Sequence, residues 1–188
     1  MPGRGMKRPP GLVFQSAYIV NDLRAAMKHW HDTNGAGPFY FMENVTMGPD
    51  TFSYRGTPST VNFGVALGNM GNIQLELIQP YDDLPSAYRD TYKSGAEGFH
   101  HFGIVAHDYD AAITHYAARG YAISQSGVSN GMRFAYFDAR RDSQCMLEVV
   151  ENVATFRAVI AGLAKATDGW DGHDPYRSFV DLFEGATL

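Results

Sequence analysis

The chain has 188 residues, 45% of them apolar and 19% charged, with a formal net charge of −5. That length suits one domain or two small halves sharing a core, and the composition excludes a disordered chain. The acidic balance argues against nucleic acid as the main partner, because phosphate binding needs a basic face. No apolar run approaches the ~20 residues that span a bilayer, so no membrane partner is expected, and the single cysteine, Cys145, excludes an internal disulfide framework and fits a reducing cytoplasm.

Residues 1–10 are basic, rich in Gly and Pro, and lack the apolar stretch of a secretory signal, so they read as a flexible tail. Gly11 to Val20 reads as a strand. Asn21 or Asp22 then offers a short acceptor for the free N–H groups of a helix start. Leu23, Ala26, Met27 and Trp30 recur at helical spacing, and Gly35 with Pro38 closes the helix. Strands follow over Phe39–Val45, Thr60–Leu67 and Ile73–Gln79, with Thr51–Arg55 as an extension of the second. The Ile73–Gln79 strand alternates, placing Gln74, Glu76 and Ile78 on one face.

The segment 81–97 reads as a linker with one helical turn around Ser86 to Tyr92. After it the order repeats. His100 to Ala106 is a strand, Asp108 to Arg119 a helix, and Tyr121–Ser126, Met132–Asp138 and Gln144–Glu151 are strands, with Asn130-Gly131 as a hairpin signal. The repeat is visible in the letters. Gln15 to Trp30 lies over His101 to Tyr116 at a constant offset of 86 positions, with Asp22 on Asp108 and His29 on His115. Leu75-Glu76-Leu77-Ile78 lies over Leu147-Glu148-Val149-Val150 at an offset of 72, so the second half is shorter, the difference falling in the Met47–Ser59 region. An Ala-rich helix over Val153–Thr167 is followed by a loop over Asp168–Arg177 and a short amphipathic tail ending near Phe183.

The fold class expected is α+β: two βαβββ repeats (11–80 and 98–151) forming curved mixed sheets, joined by the linker and followed by a C-terminal helical extension over 152–188. In each repeat one polar residue starts the first strand and one glutamate sits inside the last. If the halves pair about a pseudo-twofold axis, Gln15, Glu76, His101 and Glu148 converge. One imidazole, two carboxylates and one amide oxygen suit Zn²⁺, Ni²⁺, Co²⁺, Mn²⁺ or Fe²⁺. Taken alone, Glu76 is as readily a solvent-facing strand residue; the matching Glu148 favours a paired role. His100, next to His101, faces the opposite side of a regular strand and is the alternative ligand if the register slips by one. His29, His115, His173 and Cys145 read as packing, surface or docking residues.

The segments Tyr18–Ala26, Ile73–Pro80, Phe99–Val105 and Met146–Val150 resemble the vicinal oxygen chelate superfamily of glyoxalase I, methylmalonyl-CoA epimerase, extradiol dioxygenases and bleomycin-resistance proteins. The resemblance implies a divalent metal, zinc first, held in a cup by Gln15, Glu76, His101 and Glu148. It implies an isomerase, epimerase or lyase that abstracts a proton beside a carbonyl oxygen of a small carbonyl or thioester substrate. Glu148 is the expected base and Glu76 its counterpart on the other face. A metal-free drug-sequestering protein is the competing class. An extradiol dioxygenase is a third, disfavoured because only one histidine falls on a ligand position. A homodimer is expected.

Overall fold

The structure, a computed structural model, describes residues 10–183; the tail expected over 1–10 lies outside the described residues apart from Pro10. Its core is the expected pair of βαβββ units. The first runs β1 (Gly11–Ile19), α1 (Leu23–Asn34), β2 (Phe39–Met47), β3 (Phe52–Tyr54), β4 (Thr57–Pro58), β5 (Val61–Met70) and β6 (Ile73–Pro80). A short helix, α2 (Ala87–Thr91), interrupts the linker. The second unit runs β7 (Gly98–Ala106), α3 (Tyr109–Ala117), β8 (Ile123–Ser129), β9 (Met132–Asp138), α4 (Arg140–Ser143) and β10 (Met146–Val150). The extension holds α5 (Ala154–Thr167), β11 (Tyr176–Ser178) and a 3-10 turn over Phe179–Phe183.

The two repeat helices, α1 and α3, start as their sequences dictate. The Asp22 carboxylate accepts from the Ala25 amide and the Asp108 carboxylate from the Ala111 amide, each at 2.9 Å. Gly35 ends α1 in the left-handed conformation, at φ 65°, which a residue without Cβ adopts freely.

Among the described residues the strands form one sheet in the order β11-β2-β5-β6-β1-β7-β10-β9-β8-β3-β4. β1 and β7 pair antiparallel at the centre, and each runs parallel to the last strand of its own unit, β6 or β10. Outer faces are covered symmetrically: α1 buries Leu23 and Met27 against Leu75 and Leu77, and α3 buries Ala112 and Tyr116 against Phe137 and Val149. A third apolar cluster, with Val65, Ile78, Phe134 and Val150, fills the inner face.

The sheet is curled, and the chain shows why. β2 lies near one end of the strand order and β3 near the other, yet four residues, 48–51, join them. Such a link spans at most about 18 Å, so the two ends of the sheet approach each other around a cup. The Phe52–Tyr54 strand, inside the Thr51–Arg55 segment expected to extend the second of the strands after the first helix, instead crosses to the second unit and pairs with β8. Its register, Ser53 opposite Ser126, is a long-range pairing with no local signal.

The C-terminal extension closes the first unit. β11 adds to β2, Tyr176 opposite Phe39. Along α5, Phe156 meets Phe14 edge-on with ring centroids 5.0 Å apart, and Thr167 accepts from the Asn69 amide at 3.2 Å. The 168–177 loop docks through Trp170, whose ring lies 5.4 Å from His31 and whose indole N–H donates to the His173 carbonyl at 2.7 Å. Cys145 is buried at 2% exposure, so its thiol acts as a small apolar side chain. No described helix is long and apolar enough to cross a membrane.

Candidate metal centre

The four residues singled out by the repeat sit on the four central strands, β6, β1, β7 and β10. The registers explain how they meet. Glu76 lies beside Ala17, and Ala17 beside His101; Gln15 lies beside Gly103, and Gly103 beside Glu148. Side chains two apart on a strand share a face, so all four point into the cup. The two small neighbours leave room for them. A Cβ on Gly103 would stand 2.5 Å from Gln15 Oε1 and 2.9 Å from its Cβ.

His101 is fully buried and directs Nε2 toward the other three residues. That nitrogen lies 3.4 Å from Glu76 Oε2, 3.4 Å from Glu148 Oε2 and 3.3 Å from Gln15 Oε1. The donor atoms of Glu76, His101 and Glu148 all fall within 4.8 Å of one another. Glu76 Oε2 is buried with no hydrogen-bond partner, which is costly for a carboxylate oxygen unless something else satisfies it. An orphaned acid oxygen, a second acid and an imidazole nitrogen facing one point are the donor chemistry of a divalent-cation site. The residues fit such a group.

The electrostatics agree. Burial pushes the Glu76 carboxyl above the usual carboxylate range, and the neighbouring Glu148 adds to that, although the contact with His101 works against it. Burial pulls His101 down, but its contacts with Glu148 and Glu76 outweigh this and raise it to about 9. Two acids around one imidazole thus hold a positive charge in the centre, the place a cation would take.

Three contacts around the set were not legible in the sequence. The Gln74 side chain accepts from Gln15 Nε2 at 2.7 Å, leaving Gln15 Oε1 aimed at His101. Its signal was the alternation that set it on the Glu76 face. Tyr136, directly across from Glu148 on β9, donates its hydroxyl to that acid, and burial holds this phenol well above its ordinary value. The third contact corrects an expectation. His100 does not face away from the site: it is fully buried, and its Nδ1 lies 2.8 Å from His101 Nδ1. A bulge is the cause. Opposite Ala17 and Tyr18 the register jumps from His101 to Phe99, so His100 has no cross-strand partner and the alternation breaks there. Burial pushes the His100 imidazole down to about 3, so it stays neutral.

Comparison with known proteins agrees with this architecture. The family model of the Glyoxalase/Bleomycin resistance protein/Dioxygenase superfamily matches residues 14–137. The chain belongs to that superfamily. Similar solved structures include methylmalonyl-CoA epimerase from Mycobacterium tuberculosis, 16% identical over 82% of this chain and 97% of that one, with a TM-score of 0.57. A methylmalonyl-CoA epimerase in complex with methylmalonyl-CoA and NH4+ is 19% identical over 78% and 97%, at 0.53. A Streptomyces coelicolor methylmalonyl-CoA epimerase variant in complex with 2-nitronate-propionyl-CoA is 18% identical over 78% and 97%, at 0.54. At these identities the likeness establishes the fold alone. No curated protein matches the chain.

Proposed function

We propose that this chain is a metal-dependent isomerase, epimerase or lyase that moves a proton on the carbon beside a carbonyl, with a small carbonyl compound or thioester as substrate. The observation that carries the reading is the placement of two carboxylates, the half-buried Glu76 and the buried Glu148, each 3.4 Å from one imidazole nitrogen and on opposite sides of the cup's central strands. Gln15, Glu76, His101 and Glu148 would hold the cation. When bound, a divalent ion stabilises the negative charge that builds on a carbonyl oxygen as the adjacent C–H bond breaks.

The chain's own residues supply the rest. Glu148 removes the proton, with the Tyr136 hydroxyl hydrogen-bonded to it so that the acid keeps a fixed orientation. Glu76, on the other side, can return a proton to the opposite face, which is what inversion of a stereocentre requires. Tyr88 and Tyr136 wall the site and exclude water, which strengthens every charge interaction inside it. The thioester-bound structures among the solved neighbours support the substrate class.

The test is to strip metal with a chelator, reconstitute with single divalent ions, and measure metal per chain. Deuterium uptake from D₂O at the α-carbon of methylmalonyl-CoA is then followed by NMR. Metal-dependent exchange is expected. Substoichiometric metal after reconstitution, together with tight binding of an apolar ligand, would move the protein to the ligand-sequestering class. A homodimer belongs to the same proposal. Its support is the pair of apolar side chains on the outer side of the β1–β7 junction, Val13 and Phe102, which are 55% and 39% exposed among the described residues. A monomer by light scattering would remove it.

A further inference from the structure

We infer that His100 is a positioning residue, fixing the proton of His101 on Nδ1 so that Nε2 offers its lone pair to the space between Glu76 and Glu148. The inference rests on the reading of His101 as a cation ligand, and it follows from counting donors along one chain of contacts. His100 Nε2 lies 3.0 Å from the Ala87 carbonyl oxygen. A carbonyl can only accept, so that nitrogen carries the hydrogen. A neutral imidazole has one N–H, which leaves His100 Nδ1 as a bare acceptor. His101 Nδ1, 2.8 Å away, must then be the donor. The remaining ring nitrogen of His101 is Nε2, the one facing both acids and Gln15.

The surroundings keep His100 in this role. It is fully buried between the rings of Tyr88, 5.6 Å away, and Tyr136, 5.9 Å away. Among the described residues no carboxylate hydrogen-bonds to it. The anchor is itself held: the Ala87 amide donates to Gln125 Oε1 at 2.9 Å, and α2 is capped by the Ser86 hydroxyl accepting from the Arg89 amide at 3.3 Å. The segment between the two repeats therefore does more than connect them. Its one helical turn supplies the acceptor that, through His100, orients the His101 ring. A ligating histidine usually has its second nitrogen held by a carboxylate, a carbonyl or water; here a second histidine stands between the ligand and the carbonyl.

The test uses His→15N-labelled full-length protein, zinc as the probe, and three variants. H100L removes both the donor and the acceptor. H100N keeps a polar atom where Nδ1 stands but cannot reach Ala87, and H100Q reaches Ala87 but leaves His101 without an acceptor. Long-range ¹⁵N–¹H NMR of the zinc-loaded wild type is expected to show His101 protonated on Nδ1, and of the metal-free protein to show His100 protonated on Nε2. H100L and H100Q are expected to weaken zinc binding by about 10–100-fold, with H100N nearer to wild type. A purely structural role would instead lower the melting temperature of all three while leaving zinc affinity and the His101 tautomer of the folded protein unchanged. That result, or a wild-type His101 that carries its proton on Nε2 and binds zinc through Nδ1, would overturn the inference. If H100L does not fold, the wild-type spectra and H100Q still decide. If wild type binds no zinc, the functional reading fails, and the metal-free spectrum still decides whether His100 carries its hydrogen on Nε2: Nδ1 protonation would sink the relay by itself.

Discussion

The two repeats share a scaffold but hold their polar residues differently. In the first, Gln15 pairs across strands with Gln74, and one amide fixes the other. In the second, the equivalent neighbour of His101 is Met146, which offers no such contact, and the imidazole is met from behind by His100. The glutamates differ too: Glu148 has a tyrosine hydroxyl on it, whereas Glu76 keeps an oxygen with no hydrogen bond. The repeat thus supplies four positions facing one point, while the contacts around each side chain differ between the halves. A twofold frame with unlike contents can treat two faces of a substrate differently.

The sharpest way to break the comparison is to neutralise each acid in turn. Glu148→Gln is expected to lower turnover by about 10²–10⁴-fold, the range of a lost general base. Glu76→Gln is expected to block exchange from one enantiomer more than from the other. Deuterium exchange measured on each enantiomer separately checks this; equal losses in both variants on both enantiomers would erase the difference between the halves.

A next contrast is small against large at the strand centres. Gly103→Ala puts a methyl group 2.5 Å from Gln15 Oε1, so the amide must swing away. Zinc affinity is expected to fall by about 10-fold or more, as for other disturbed ligand shells, with thermal stability changed far less. Ala17→Gly, at the matching position of the first repeat, is expected to leave zinc affinity near wild type. Calorimetric titration reads both.

pH sharpens the picture further. His101 is raised from 6.5 to about 9 in the metal-free protein. A raised imidazole contributes stability that is complete below about pH 6.5 and is lost as the pH climbs through 9. Glu76, also raised, acts in the same direction at lower pH. Melting temperatures of the metal-free protein are therefore expected to fall between pH 6.5 and 9. Zinc affinity should rise over the same window, because binding displaces that proton. The smallest effect expected is from Gln74→Leu, about 10-fold in zinc affinity, since it frees the Gln15 amide without removing a ligand.

How much of this was legible in the letters follows from range. The repeat, the helix caps at Asp22 and Asp108 and the faces of β6 and β10 are local patterns, and they carried the positions of Gln15, Glu76, His101 and Glu148. The pairing of β3 with β8 was invisible, because it depends on the curl that brings the sheet's ends together. His100 was misplaced because a bulge breaks the period-two rule at one residue. Gln74 and Tyr136 were on the right strands, but nothing in a single strand's pattern says which neighbour across the ladder a side chain will touch.

The late pairing of Tyr176 with Phe39 reaches across most of the chain. During synthesis the aromatic edge formed by Phe39, Tyr40 and Phe41 must wait uncapped until Tyr176 to Ser178 have left the ribosome. Open strand edges of that kind invite other chains to add to them. A chain truncated after Thr167 should therefore aggregate beyond the proposed dimer where the longer protein does not, and light scattering of that truncation would show whether the segment 168–178 acts as the molecule's own guard against clumping.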